Sequence, residues 1–418
     1  MSAKELEIEV TALGAQGDGL ADSAVGRLYV PFTLPGDRAR VRLGAKKGDG
    51  YAADLTTLIN PSSDRVKPVC QHFGTCGGCA LQHLSTDAYR RFKRDRVEWA
   101  LKKRGLDVVD IADPVILPAG NRRRTRFTAR MGGRGLVLGY SGRSSHKIVD
   151  VFECPVLTPE LEGLLGPLRT MLPTVHGGGA LQITVTQTNS GPDMVLEGGG
   201  KLDLRKRGVL AAFAEETDLA RLSWDDGNGP EPIVQRRPPT VSFGAYTIPL
   251  PAAAFLQASL EAEDWMGAFA LDHVEAGPVA DLFSGLGSFA FRLADKMPVT
   301  AIETDADMVD AIRQGAASHQ AQKVQPERRD LFREPLTVRE LNYFAAVVID
   351  PPRAGAKAQS EVLADSDVPL IVAFSCNPAS FARDSRLLVD GGYRLEKVVP
   401  IDQFRWSAHV ELAAVFRR

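Results

Sequence analysis

"YRLEKVVPIDQFRWSAHVELAAVF" occupies residues 393–416, and its spacing decides how the last part of the chain is built. Two apolar stretches, 393–402 and 409–416, flank "QFRWSA", whose six residues are too few for a helical crossover. Parallel neighbours need a far longer connection, so these two stretches form an antiparallel pair. Upstream the pattern changes. "PVADLF" (278–283), "PVTAIE" (298–303), "FAAVVID" (344–350) and "PLIVAFS" (369–375) are continuous apolar runs, with helical patterns over 306–319 and 379–389. Continuous apolar strands alternating with helices predict a parallel sheet covered on both faces.

A parallel sheet closed by an antiparallel last strand resembles the architecture of S-adenosylmethionine (SAM) methyltransferases. The expected fold class is therefore α/β, Rossmann-like and seven-stranded, with the last strand antiparallel. "DLFSGLGSF" (281–289) falls at a strand-to-helix turn, where glycines let the backbone approach a ligand at the carboxyl edge of the sheet. A lone G-x-G is equally the mark of a plain tight turn. Glu303 ends the next strand, 22 residues after Asp281, where a carboxylate accepts from both hydroxyls of a ribose. Asp330 in "RRDLF" and Asp350 after "FAAVVI" complete a ring of acids at one sheet edge, although single acids there also serve as helix caps. "DPPR" (350–353) resembles the [DN]PP[YF] loop of amino-group methyltransferases, but Arg353 stands where an aromatic residue would stack on the base. Methylation of an exocyclic amine is thereby disfavoured.

Cys376 follows the 369–375 strand at the same edge. Taken alone, a cysteine there is more often inert packing. Asn377 can cap and Pro378 can open the next helix, which puts the thiol at a helix N-terminus and predicts a lowered pKa. Beside a SAM site a thiolate has a use. Carbon 5 of a pyrimidine is too weak a nucleophile to attack a methyl sulfonium, whereas thiolate addition at carbon 6 creates an enolate that can. A base must then remove the C5 proton, and Glu411, on the neighbouring last strand, is the candidate.

The chain has 418 residues, 44% hydrophobic and 24% charged, the composition of a soluble globular protein of two or three domains. The N-terminus lacks a basic-then-apolar leader and no run approaches a membrane span, so a cytoplasmic location is expected. A net charge of −2 argues against a general nucleic-acid binder, but the distribution is uneven. From Pro114 to Val149 there is no acid, against Arg122, Arg123, Arg124, Arg126, Arg130, Arg134, Arg143 and Lys147. With "YRRFKRDR" (89–96) and interleaved aromatics, this suits phosphate contact plus base stacking. A solvated face is the competing reading.

Residues 1–58 read as short alternating strands, as in a small OB-like barrel, with Arg38, Arg40 and Arg42 sharing one face as a candidate RNA surface. Residues 59–245 hold a helical stretch at about 85–104 and a Pro- and Gly-rich segment, 225–239, that reads as a linker. They also hold "CQHFGTCGGC" and a distant Cys154. Cys70, Cys76, Cys79 and Cys154 suit an iron–sulfur site better than zinc, for which His72 and His83 would be the added ligands. Residues 246–418 form the parallel-sheet domain.

Together, "FSCNPASFARD", "DPPRAG", "DLFSGLGSF" and "WSAHVE" resemble the motifs of the SAM-dependent RNA (uracil-5-)-methyltransferases along nearly the whole chain. The resemblance implies Cys376 as nucleophile and Glu411 as base, with Gln257, Phe283, Ser288, Glu303, Asp330 and Asp350 lining the SAM and uracil pocket. The family pattern F-x-Q-x-N reads "FLQAS" here, with Ser259 for Asn, and Ser288 also stands where Asn is common. "LPGDRARVRL" resembles part of a TRAM domain, and the cysteine spacing resembles the [4Fe–4S] site of the 23S rRNA members. The implied substrate is a uridine of 23S rRNA; the T-loop uridine of tRNA is the alternative, and a non-catalytic metal-bearing RNA-binding module a remote one. DNA cytosine methylation is disfavoured, since the Pro-Cys motif of that family is absent.

Overall fold

A computed structural model describes residues 5–107, 110–133 and 135–418, which leaves Arg134 of the basic region outside the described residues. Three larger sheets organise the chain. The C-terminal one has eight strands, in the order Val324–Arg328, Val299–Glu303, Val279–Leu282, Ala346–Ile349, Leu370–Ser375, Glu411–Arg417, Arg394–Ile401 and Asp110–Ile111. The first five run parallel, and Glu411–Arg417 is antiparallel to both of its neighbours. Every residue of Val279–Leu282, Ala346–Ile349 and Leu370–Ser375 is buried, as apolar layers on both faces require.

Two strands exceed the seven-stranded expectation or its pattern. Val324–Arg328 carries Pro326 and polar residues, tolerated because it lies at the edge. Asp110–Ile111 comes from the central part of the chain and adds an eighth strand beside Arg394–Ile401. The helix Thr86–Lys102, capped by the Ser85 hydroxyl, also joins this unit: Val97, Ala100 and Leu101 pack in its core.

The topology positions the site. Parallel strands deliver the residues after Leu282, Ile349 and Ser375 to one edge, together with Glu303. An antiparallel strand brings its amino end to that same edge, so Glu411 arrives beside Ser375–Cys376, with Leu412 paired to Ser375.

The central sheet has seven strands, from Ile148–Asp150 at one edge to Glu231–Gln235 at the other. Helices Leu165–Val175 and Leu204–Glu216 contribute Leu168, Leu172, Leu210 and Phe213 to its core. The expected linker at 225–239 is in part this last strand; Pro232 is accommodated because the strand is an edge with a shifted register.

The N-terminal six-stranded sheet encloses Ile8, Val10, Leu28, Val30, Ala39 and Val41. Arg38, Arg40 and Arg42 are exposed on one face, as alternation predicts. Their neighbours correct the reading of that face as basic. The register places Arg42, Arg40 and Arg38 opposite Glu5, Glu7 and Glu9, and Arg40 Nη2 lies 2.9 Å from Glu7 Oε1. Three cations facing three carboxylates form a ladder of mixed charge, with one ion pair closed.

Candidate active site

One cavity of about 530 Å³ opens at the carboxyl edge of the eight-stranded sheet, a size that suits a small-molecule site. Its walls include all eight residues expected for chemistry and cofactor: Gln257, Phe283, Ser288, Glu303, Asp330, Asp350, Cys376 and Glu411.

The turn after Val279–Leu282 is built for close approach. Phe283, Gly285 and Gly287 all have positive φ, at 61°, 56° and 79°. Gly287 caps the Ser288–Ala294 helix in the left-handed conformation that glycine adopts freely. Glu303 Oε2 accepts from Gly285 N–H at 3.0 Å, and Oε1 accepts from the N–H groups of Thr304 and Asp305. Three backbone donors thus orient this carboxylate and leave acceptor capacity on the cavity. Phe283 pairs with the half-exposed Phe332 at 5.4 Å between ring centroids, forming an aromatic lip.

Asn377 caps the Pro378–Asp390 helix by accepting from Ala379 N–H, and its Nδ2 donates to the Arg353 carbonyl at 2.9 Å, tying the DPPR loop to the Cys376 turn. The thiol itself departs from expectation. Burial, reinforced by the Glu411 and Asp350 carboxylates and opposed by Arg353, pushes the Cys376 pKa up to about 11, not down. A helix N-terminus is outweighed where a thiol is half-buried beside two acids.

Those acids are themselves perturbed. Burial raises Asp350 to about 7, against a donated hydrogen bond from Gln257 Nε2 at 2.8 Å. Burial and the Asp350 charge raise Glu411 well above the carboxylate range, against a 3.0 Å hydrogen bond from Gln403 Nε2. Glu411 Oε1 is buried and has no partner. The edge therefore holds a thiol and two carboxyls whose pKa values burial raises, with one carboxyl oxygen left without a partner: groups suited to nucleophilic addition and proton removal.

Ser259 keeps a cap where the motif has Asn. Its Oγ accepts from Ala262 N–H at 3.2 Å at the start of Leu260–His273.

The arginines divide. Arg122 and Arg124 line the cavity, and Arg124 lies over the exposed Phe255 ring at 6.0 Å. Arg126 is exposed and paired with Glu197. Arg123 does not face outward, which corrects its reading as an RNA contact. Only 7% exposed, it donates to Glu263 Oε1 at 2.8 Å and to the Gln257 carbonyl at 3.0 Å. It is a strut behind the cavity wall.

Sequence reasoning missed Gln403 and Lys93. Lys93, wholly buried, pairs with Asp402 at 2.9 Å and donates to the Ser407 and His409 carbonyls. Tyr89 Oη donates to Asp402 at 2.7 Å and accepts from Trp406 N–H. The Trp406 carbonyl in turn accepts from Ala80 and Leu81, directly after Cys79. The cysteine segment and the 86–102 helix thus grip the loop leading to Glu411. In sequence Lys93 belongs to the basic run "YRRFKRDR", read as suited to phosphate contact; the structure corrects this for Lys93, which is buried on Asp402.

Cys70, Cys76, Cys79 and Cys154 are all partly buried. Burial, with mutual repulsion among the thiolates, pushes Cys79 up to about 12 and Cys154 up to about 11. The cysteine loop docks on the central sheet through Gly77, whose N–H donates to the Ser141 carbonyl at 3.0 Å; a Cβ there would stand 2.8 Å from that oxygen. His72 Nε2 accepts from Phe152 N–H, and His83 Nε2 lies 3.4 Å from the Thr33 carbonyl. Among the described residues no three Cys, His, Asp or Glu side chains meet closely enough to hold a single metal ion.

Comparison with known proteins gives this geometry its context. Residues 251–418 match the profile of the tRNA (Uracil-5-)-methyltransferase family. An uncharacterized RNA methyltransferase of Brucella suis is 45% identical over 100% of this chain and 99% of its own length. A 23S rRNA (uracil(1939)-C(5))-methyltransferase of Aliivibrio salmonicida is 30% identical over 100% of this chain and 97% of its own. The crystal structure of Pyrococcus abyssi tRNA (uracil-54, C5)-methyltransferase in complex with S-adenosyl-L-homocysteine superposes with a TM-score of 0.79, covering 98% of this chain and 99% of that one at 21% identity, and so shares the fold. The chain is an RNA methyltransferase, and it belongs to the RNA (uracil-5-)-methyltransferase family.

Proposed function

We propose that the protein transfers a methyl group from SAM to carbon 5 of a uridine in RNA, through a covalent bond between Cys376 Sγ and carbon 6, giving 5-methyluridine. The observation that carries this reading is the convergence of Cys376, Asp350, Glu411 and Glu303 on one cavity rimmed by arginines. When bound, SAM supplies an electrophilic methyl group. Phe283, Ser288, Glu303 and Asp330 are the residues that would hold it, with Glu303 offering its remaining lone pair to the ribose, and Gln257 stands on the side of the cavity that would meet the uracil.

A thiol near 11 must lose its proton before attack, and Asp350, near 7, is the acceptor at hand. Sγ then bonds to C6, and the C5=C6 pair moves into a C4–O4 enolate. C5 takes the methyl group as the methyl–sulfur bond breaks. Glu411, whose raised pKa makes its ionised form a stronger base, removes the C5 proton in that form; the electrons of the C5–H bond restore C5=C6 and the S–C6 bond breaks, releasing the thiolate.

The test separates the two roles. Cys376→Ala abolishes methylation and leaves SAM binding intact. Glu411→Gln stalls later, leaving an RNA–protein adduct that survives denaturing electrophoresis and carries label from methyl-labelled SAM. That adduct is lost in the double variant. Methylation by Cys376→Ala would overturn the covalent route.

Within this reading the substrate is 23S rRNA. The name of the Aliivibrio relative supports it, as does the co-occurrence of an N-terminal strand unit (1–58, read as a TRAM-type OB barrel) with a cysteine-bearing α+β unit (59–245) ahead of the catalytic unit (246–418). Four cysteines would serve a [4Fe–4S] cluster rather than a lone ion, for which no three suitable side chains meet among the described residues. The cluster would be held by Cys70, Cys76, Cys79 and Cys154, and would pin the loop that reaches Trp406; methyl transfer needs no electron from it. Thiols kept for a cluster accord with a cytoplasmic location. Mapping 5-methyluridine in rRNA and tRNA from cells lacking the gene decides the target: loss in tRNA alone would move the substrate to the T-loop.

A further inference from the structure

Gln403 does not line the cavity, yet it joins the two carboxyls that do. It is 3% exposed. Its Nε2 donates to Glu411 Oε2 at 3.0 Å and to Gln257 Oε1 at 2.9 Å, and its Oε1 accepts from Ala258 N–H at 2.8 Å. Gln257 Nε2 donates onward to Asp350 Oδ2 at 2.8 Å. A chain of four side chains thus runs Glu411, Gln403, Gln257, Asp350 behind the reacting edge.

The sense of every amide in this chain follows from one backbone group. Ala258 N–H can only donate, so Gln403 must turn its oxygen toward it and its nitrogen toward Glu411 and Gln257. Gln257 must then present its oxygen to Gln403 and its nitrogen to Asp350. One N–H of Gln257 remains for the cavity, beside the second oxygen of Asp350. While Asp350 is ionised, as it is when the base docks and before it takes the thiol proton, a donor next to an anionic acceptor matches the O4 and N3–H edge of uracil. Cytosine offers the reverse, an amino group and a bare N3, to the same pair. At the other end, with Oε2 held by Gln403, Glu411 keeps Oε1 free for the C5 proton.

We propose that Gln403 is a positioning residue with two outputs: it fixes the amide of Gln257 in the sense that selects uracil, and it aims Glu411 for proton removal. The proposal rests on the uracil-C5 reading above. Sequence gives no hint of it, since residue 403 lies in the short connection between the last two strands.

The test uses the full-length protein with Gln403→Leu, which removes all three hydrogen bonds, and Gln403→Glu, which keeps the shape and the acceptor toward Ala258 N–H but loses both donors when ionised. RNAs carrying uridine or cytidine at the position that the wild-type protein methylates are the probes. Both variants are expected to bind SAM as wild type does. Discrimination between uridine and cytidine RNA, read by competition, should fall about tenfold, the weight of one net hydrogen bond. A methyl-labelled adduct should accumulate on uridine RNA, because addition proceeds and elimination lags. If Gln403→Leu misfolds, as loss of SAM binding would reveal, Gln403→Glu carries the decision alone. Wild-type discrimination with no adduct in a SAM-binding variant overturns the proposal. Failure of the wild-type protein to methylate uridine would instead overturn the parent reading, whatever the variants do.

Discussion

Replacing Arg123 with Ala separates a structural arginine from its RNA-facing neighbours. The side chains of Arg123 and Glu263 are 8% and 1% exposed, and Glu263 Oε2 already lacks a partner. Removing one member of a buried pair costs ~3–5 kcal/mol, because the other charge is left uncompensated. At ~2–4 °C per kcal/mol for a unit of this size, the melting of the C-terminal unit should fall by about 10 °C. The loss has a pH signature. Burial holds the Glu263 pKa above its ordinary value, with Arg123 the first of the charges opposing it. Without Arg123 that pKa rises further, and protonated Glu263 needs no counter-charge. The deficit is therefore largest above the folded pKa and shrinks as pH falls through it. Arg122→Ala with Arg124→Ala should do the opposite: little change in melting, but a salt dependence of RNA binding flatter by about 0.7 per lost phosphate contact. Melting curves at two pH values and a salt titration of RNA binding measure both effects. If Arg123→Ala melts like wild type and flattens the salt slope, Arg123 faces RNA and the assignment of its pair is wrong.

Anaerobically purified protein should be brown and contain about four irons per chain, as four cysteine ligands imply; stoichiometric zinc without iron would remove the cluster. Joint replacement of Arg38, Arg40 and Arg42 by Ala should leave the salt slope of RNA binding almost unchanged, since Glu5, Glu7 and Glu9 already balance that face. Lys93→Met should slow methylation and speed amide exchange over residues 403–410, because the carbonyls of Ser407 and His409 lose their shared donor; unaltered exchange would show that the loop holds without it.

Legibility followed the range of the interactions involved. The catalytic sheet could be read because a fully buried parallel strand carries its signal within itself, and because "QFRWSA" is too short to permit any pairing but an antiparallel one. Glu303, Asp330, Asp350, Cys376 and Glu411 could be read because they lie at or just past strand ends whose position that topology dictates, whereas Gln257, Phe283 and Ser288 came from the motif resemblance alone. The central sheet resisted, since its edge strand Glu231–Gln235 is defined by its partner Arg221–Asp225 and looks like a linker without it. The same holds for charge. A run of arginines is one feature in sequence and three in space: Arg123 is buried on Glu263, Arg124 borders the cavity, and Arg126 pairs with Glu197.

Cys376 marks the sharpest limit of local reading. Its cap and its proline are visible in sequence, and they argue for an easily ionised thiol. Burial reverses this, reinforced by the carboxyls of residues 411 and 350, which two other strands bring in. The reversal has a chemical consequence. Burial that raises the thiol pKa favours its protonated form, which alkylation and oxidation attack less readily than the thiolate. Attack then requires that the proton be taken within the site, so reactivity is coupled to the state of Asp350 and, through Gln257 and Gln403, to Glu411. The hydrogen-bonded chain that selects the base is thereby tied to the groups that start and finish the reaction. Reactivity of Cys376 toward a small alkylating agent should rise only above neutral pH in the free enzyme, and an Asp350→Asn variant, relieved of one repelling charge, should ionise its thiol at lower pH while methylating RNA more slowly. Faster alkylation together with slower turnover is the combination expected if Asp350 raises the resting thiol pKa and also serves as its proton acceptor; a parallel rise or fall of both would separate those two roles and assign the proton to another group.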